Sequence, residues 1–168
     1  MPHEITSHDE IIDAIRRVES IAELIAQEDG HFKHELDLDV IVFGRNYGAG
    51  KKVGPYARLF LYAPGEIIIE QDSWSANTFY ILIDGRLEVS IEDETGTHTV
   101  GEILPGQSFG EMAVLSGARR VATVRVGSES PAHVLALARP ALRLLRKLPK
   151  FGQALDKTYR EYGLSLTL

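Results

Sequence analysis

Asp84-Gly85 sits between two strand-like runs, Phe79-Tyr80-Ile81-Leu82-Ile83 and Leu87-Glu88-Val89-Ser90-Ile91. An Asp-Gly pair flanked in this way is the strongest short-range signal for a β-hairpin. In the second run Leu87, Val89 and Ile91 alternate with Glu88, Ser90 and Glu92, which predicts a strand with one wet face. The hairpin commits the middle of the chain to antiparallel sheet, and its neighbours agree. Leu59-Phe60-Leu61-Tyr62 reads as a strand, Ala63-Pro64-Gly65-Glu66 as a turn and Ile67-Ile68-Ile69 as the next strand. Glu94-Thr95-Gly96-Thr97 reverses the chain before a strand that starts at Thr99-Val100, and Leu104-Pro105-Gly106 reverses it again. Residues 121–126 and 133–137 are two further strands. Many short strands with regular turns predict a sandwich or jelly roll.

Both ends read as helix. Ser7-His8-Asp9-Glu10 fits a capping box. Ile11, Ile15, Val18, Ala22 and Ile25 then follow at helical spacing, predicting a helix from about Asp9 to Gln27 that ends near Gly30. At the other end, Ala141, Leu142, Leu144, Leu145 and Leu148 mark a helix over 139–147 that Pro149 breaks. A second helix over 150–162 carries Phe151, Leu155, Thr158, Tyr159 and Tyr162 near one face, with Gly163 as its C-terminal cap. The first helix is acidic and the tail is basic; solvated helix faces are the commoner reason for such a split, and attraction of the ends to each other or to a partner is the other. Between them, Leu36 to Phe43 reads as a short strand or a buried helical turn. Gly44, Gly48, Gly50 and Gly54 mark a loop that carries Arg45, Lys51 and Lys52.

At 168 residues this is one domain with helical additions. Four segments follow: an amphipathic helix over 1–30, a glycine-rich connection over 31–58, the jelly roll over 59–138 and helices over 139–168. The chain has no Cys, which excludes disulfide scaffolds, thiolate nucleophiles and Cys-ligated zinc. A net charge of −6 argues against non-specific binding to nucleic acid or an anionic membrane. No run approaches the roughly 20 apolar residues of a membrane span. Met1-Pro2-His3-Glu4-Ile5 lacks the basic and apolar regions of a signal peptide, so the expected location is cytoplasmic.

Chemistry concentrates in Phe109-Gly110-Glu111-Met112-Ala113-Val114-Leu115 and in Arg120-Val121-Ala122-Thr123-Val124. A carboxylate follows a glycine, and an arginine stands nine positions after the carboxylate. A carboxylate accepts from a hydroxyl, and a guanidinium offers a planar fork to two phosphate oxygens. If Gly110-Glu111-Met112-Ala113 opens a helical turn, its N–H groups also face an anion. Gly110 lets the backbone come close. The set resembles the phosphate-binding cassette of cyclic nucleotide-binding domains, as found in protein kinase A regulatory subunits and catabolite-activator-type regulators. The resemblance extends from Phe60 to Leu148. It takes in Ala63-Pro64-Gly65-Glu66-Ile67-Ile68, the hairpin from Phe79 to Val89, Leu104 to Glu111, and His133-Val134-Leu135-Ala136-Leu137 as a last strand. It implies a β jelly roll (double-stranded β-helix) with an N-terminal helix and two C-terminal helices. It also implies a ligand site in which Glu111 takes the ribose 2′-hydroxyl and Arg120 the phosphate. The backbones of Gly110, Met112, Ala113 and Val121 complete the cradle. The family often has Pro before the arginine; this chain has Arg119. Members preferring cyclic GMP often carry a hydroxyl residue after the arginine, and Val121 has none, which tilts the expectation to cyclic AMP.

Other motifs carry less. Gly44 to Lys51 imitates a P-loop, but Gly44 is one residue too far from Gly50 and Lys52 replaces the Ser or Thr that Mg²⁺ needs. His31 and His34 lie near Glu35 and Asp37 without two further convergent ligands, and His98 and His133 are too far apart in sequence for a metal cupin. Arg119 reads as a solvated side chain, Thr123 as a strand residue and Trp74 as a partly exposed loop residue. Tyr159 and Tyr162 either cover a bound base or pack on the roll. No metal, cofactor or catalytic group is expected. The expected function is a non-catalytic sensor that binds a cyclic nucleotide and signals through its end helices to a protein partner or a second copy, with neither nucleic acid nor membrane as partner. Two other readings stand beside it. One is a ligand-free relative in which Glu111 and Arg120 pair with each other. The other is the sensor fragment of a catabolite-activator-type regulator, since about twenty residues after Pro149 are too few for a helix-turn-helix.

Overall fold

The Asp84-Gly85 turn joins two sheets. A computed structural model of the chain describes residues 2–18, 45–46, 48–50, 52–53, 56–74, 78–110, 119–141 and 149–153. The strands are β1 (His3–Ile5), β2 (Arg45–Asn46), β3 (Lys52–Val53), β4 (Ala57–Tyr62), β5 (Ile67–Ile69), β6 (Thr78–Asp84), β7 (Leu87–Asp93), β8 (Gly96–Ile103), β9 (Ser108–Phe109), β10 (Thr123–Val126) and β11 (Ala132–Ala138); helix α1 spans His8–Arg16. One sheet has the order β1-β4-β11-β6-β9 and the other β5-β10-β7-β8, and β2-β3 forms a separate ribbon. Every pairing is antiparallel. The two arms of the expected hairpin do not pair with each other, which corrects that expectation: β6 goes to the first sheet, between β11 and β9, and β7 to the second, between β10 and β8. The expected jelly roll is therefore present, with Gly85 at φ +97 between the arms.

The core lies between the sheets. Leu82 of β6 and Val134 of β11 face Leu87 and Val89 of β7, Val124 and Val126 of β10, Ile103 and Ile69. The first sheet is buried on its other face as well, which is why β6 and β11 read as nearly continuous apolar runs. Phe79, Ile81 and Ile83 of β6 are buried there, and the Phe79 ring meets Phe151 of the tail at 6.1 Å. Leu82 is fully buried, so Leu82→Ala is expected to cost about 2–5 kcal/mol in a denaturant titration.

The N-cap half of the expected capping box is present: the Glu10 backbone N–H donates to Ser7 Oγ at 3.5 Å, with Ser7 at φ −64, ψ 122. Acidic Asp9 and Glu10 in the first turn and Arg16 in the last suit the helix dipole. Ile11, Ala14, Ile15 and Val18 are buried. They set α1 on the outer face of the first sheet, where Ala14 shares a cleft of about 160 Å³ with Leu59 and Ile83. The expected remainder of this helix, to Gln27, lies outside the described residues, as does the run Leu36 to Phe43. Residues 139–141 and 149–153 are helical. Pro149 is itself helical, one residue before the expected start of the second tail helix. The stretches 142–148 and 154–168 also lie outside the described residues, Tyr159 and Tyr162 among them.

The structure corrects the expectation of a loop over 44–54. Arg45 and Asn46 pair with Val53 and Lys52, and Gly48, Ala49 and Gly50 at φ +84, +50 and +77 make the tight reversal.

One polar latch ties α1 to the roll. Asp84 Oδ1 accepts from the His133 backbone N–H at 3.1 Å and meets His133 Nδ1 at 2.8 Å, while Arg17 Nη1 donates to Oδ2 at 3.3 Å. Burial pushes the Asp84 carboxyl up, but the His133 and Arg17 contacts outweigh it and leave it below the usual carboxylate value. A depressed folded-state value adds stability above the unfolded value of about 3.9 and loses it as pH falls through the folded value. Urea titrations between pH 5 and pH 2 are therefore expected to show a steeper acid loss of stability in the native chain than in Asp84→Asn. Equal slopes would contradict the latch.

Candidate functional site

Strand β9 is two residues long because the chain must leave the sheet at Gly110. Ser108 and Phe109 pair with Ile81 and Tyr80. Gly110 then turns away at φ +81, a conformation that costs L-residues strain. A Cβ there would lie 2.9 Å from both Arg120 Nη1 and Ile69 Cδ1. Gly110 is thus needed for its φ and for the close approach of a guanidinium. Gly110→Ala is expected to shift Arg120 and to cost about 1–3 kcal/mol, readable by thermal melting.

Arg120 is only 4% exposed, and it and Ser108 are the buried polar side chains among the described residues. Its Nη1 donates to the Gly110 carbonyl and its Nη2 to the Thr78 carbonyl, each at 2.5 Å. A buried cation demands such acceptors, because desolvation without them is prohibitive. The backbone of Arg120 is held from the other side. Its N–H donates to the Ser73 carbonyl at 3.0 Å and its carbonyl accepts from the Asp72 N–H at 2.8 Å. Asp72 adopts φ +66 in the turn that follows β5, and Ser73 N–H closes that turn on the Glu70 carbonyl at 3.3 Å. One arginine therefore joins β6 and the end of β9, in the first sheet, to the β5 turn and the start of β10, in the second.

Tyr80 lies near enough to Arg120 to feel its charge. Tyr80 stacks on Phe109 with centroids 5.2 Å apart and planes at 16°. Burial pushes the Tyr80 phenol up, and the positive charge of Arg120 partly draws it back. Tyr62, deeper in the roll, is pushed up to about 12 by burial, then by Tyr80 and Glu66. Both phenols stay neutral at physiological pH, so Arg120 keeps the positive charge at this end of the roll.

Of the residues expected to form the ligand site, Gly110 and Arg120 are in contact, and Val121 is adjacent and 63% exposed. Glu111, Met112 and Ala113 lie outside the described residues. Arg119 is exposed as expected, but its guanidinium sits 4.9 Å from the centroid of the Trp74 ring, which is 70% exposed. Thr123 is a strand residue, and its hydroxyl accepts from the Gln71 N–H at 3.0 Å. Thr78 was not legible as part of the site, because it acts through its backbone carbonyl. Among the described residues no group of three or more His, Asp and Glu side chains is placed to hold a metal. No helix among them is long and apolar enough to cross a membrane. His98 bonds locally to Thr95 and Asp93, and His133 to Asp84.

Comparison with known proteins places this arrangement. Residues 59–147 match the family model of the cyclic nucleotide-binding domain. The chain is 30% identical over 129 residues to a cAMP-dependent protein kinase regulatory subunit of Mycosarcoma maydis, covering 75% of this chain and 24% of that protein. It is 26% identical over 100 residues to a cGMP-dependent protein kinase of Eimeria tenella, covering 60% of this chain and 10% of that one. The chain thus spans a quarter or less of the length of these relatives. Among solved structures, the Thermus thermophilus catabolite activator protein superposes with TM-score 0.54 at 27% identity over 64% of this chain and 50% of that one. The cAMP-bound regulatory domain of Toxoplasma gondii PKA superposes with TM-score 0.61 over 92% of this chain and 50% of that one; at 18% identity it speaks for the fold. The matched span begins in β4 and runs past β11, so it takes in the whole second sheet, all of the first but β1 and the start of β4, and the buried arginine, and the chain belongs to the cyclic nucleotide-binding domain family.

Proposed function

We propose that the chain is a sensor that binds cyclic AMP reversibly and without chemistry at the Arg120 end of the roll. The carrying observation is a buried guanidinium held beside a left-handed glycine by backbone carbonyls. A cyclic phosphate is a singly charged anion with a planar pair of acceptor oxygens, which a guanidinium fork fits. In this reading Arg120 takes the phosphate and Glu111 the ribose 2′-hydroxyl, with the backbones of Gly110, Met112, Ala113 and Val121 around them. Val121 offers no hydroxyl to a guanine, which favours cyclic AMP over cyclic GMP. The roll over 59–138 binds the ligand, and the helical tail over 139–168 and the N-terminal helix carry the signal to a protein partner or a second copy. The mechanism is a population shift, in which ligand favours the state with an ordered cassette and a closed tail.

Calorimetric titration with cyclic AMP and cyclic GMP tests the binding. Micromolar or tighter affinity, with cyclic AMP ahead, is expected; folded protein that takes up neither nucleotide would refute the reading. Limited proteolysis tests the transmission. Ligand is expected to slow cleavage in the tail, and equal rates would confine its effect to the roll.

A further inference from the structure

Trp74 is the only tryptophan of the chain, and at 70% exposed it gains little from burial. It stands at the end of a firmly tied turn. Gln71 N–H donates to Thr123 Oγ1, the Gln71 side chain bonds both backbone groups of Glu92, and Asp72 and Ser73 exchange hydrogen bonds with the backbone of Arg120. The next contact outward is Arg119 over the indole at 4.9 Å, inside the range of a cation–π interaction. Residue 120 is thus gripped through its own N–H and carbonyl, and residue 119, one bond away, is pinned to the same turn.

This rests on the binding reading above: we propose that Trp74 and Arg119 form a positioning brace that sets the direction of the Arg120 guanidinium toward the phosphate of a cyclic nucleotide. A guanidinium stands several bonds from its Cα, so a small rotation of the backbone at 119–120 moves the fork by much more. Binding constellations need their groups within roughly 0.5 Å and 10–20° of the productive geometry. The indole supplies that constraint from outside the roll. It also holds the second cation, Arg119, on the outer surface, so that Arg120 alone is presented to the ligand.

The test compares Trp74→Leu, Arg119→Leu and their combination with Trp74→Phe and Arg119→Lys, which keep an aromatic face and a cation. Two readouts are taken on folded protein: calorimetric affinity for cyclic AMP and the Nε signal of Arg120 in ¹⁵N spectra without nucleotide. Each leucine variant is expected to weaken binding about fivefold, the worth of one such contact. The double variant should be no weaker than either single one, because the two side chains act as a unit. Trp74→Phe and Arg119→Lys should recover most of the affinity, and the Arg120 signal should move in the leucine variants and return in the conservative ones. Losses that add in the double variant, or an affinity unchanged while only melting temperature falls, would overturn the brace. If the native chain binds no cyclic AMP, the binding reading fails. The Arg120 signal then decides the brace by itself, and a signal unmoved in Trp74→Leu refutes it.

Discussion

Arg120→Ala is expected to weaken cyclic AMP binding by two orders of magnitude or more and to lower stability at the same time. Each charge-assisted hydrogen bond contributes about 1.5–3 kcal/mol, and a guanidinium fork offers two to a phosphate. Each factor of ten in affinity corresponds to about 1.4 kcal/mol, so losing both gives a fall of a hundredfold or more. The stability effect has a separate origin. With the guanidinium removed, the carbonyls of Gly110 and Thr78 lose the donor that they share, at roughly 1–3 kcal/mol for each group left unpaired. Arg120→Lys keeps the charge without the fork and is expected to fall between the two. Calorimetry and urea titration on the same samples separate the effects. An alanine variant that binds like the native chain would remove Arg120 from the site.

Gly85→Ala is expected to be the most damaging single methyl group. The residue has φ +97, and a Cβ there would stand 2.9 Å from Ala132 Cα, Ala132 Cβ and the Pro131 carbonyl oxygen. Two of these are backbone atoms, and Ala132 is fully buried in β11, so no flexible side chain can move aside. Strain at φ and the overlap together cost about 3 kcal/mol or more. The same turn sends β6 and β7 into different sheets, so the loss falls on the hinge of the whole roll. Gly65→Ala makes the control. It also has positive φ, at +82, but open space around it, and should lose only the conformational part.

What the sequence disclosed follows from how each element is encoded. The long strands of the roll announce themselves because apolar periodicity over several residues and a glycine turn at each end agree. Strands β1, β2, β3 and β9 did not, since two or three residues are too few for a period to register; β5, equally short, is legible only because three isoleucines follow the Ala63-Pro64-Gly65-Glu66 turn. The ribbon at 45–53 was hidden by its glycines, which mark a reversal without saying whether strands flank it. At the site, Arg120 and Gly110 were legible from side-chain chemistry and spacing. Thr78 was not, because its contribution is a carbonyl that any residue would supply. Trp74 reads only as a loop residue; its place beside Arg119, 45 positions later in the chain, is a long-range contact that no local pattern encodes.

The Gln71 side chain has a consequence for solubility. Strand β10 reaches β7 only as far as Ser90, so on that side β7 runs on beyond its partner. The Glu92 N–H and carbonyl there are met by the Gln71 amide at 2.7 and 3.0 Å, in the way a neighbouring strand would meet them. An uncovered N–H and carbonyl on a strand form a template onto which another chain can pair. A single side chain thus stands in for a missing rung and closes a sticky edge. Without it, the folded molecule would be expected to self-associate before it unfolds.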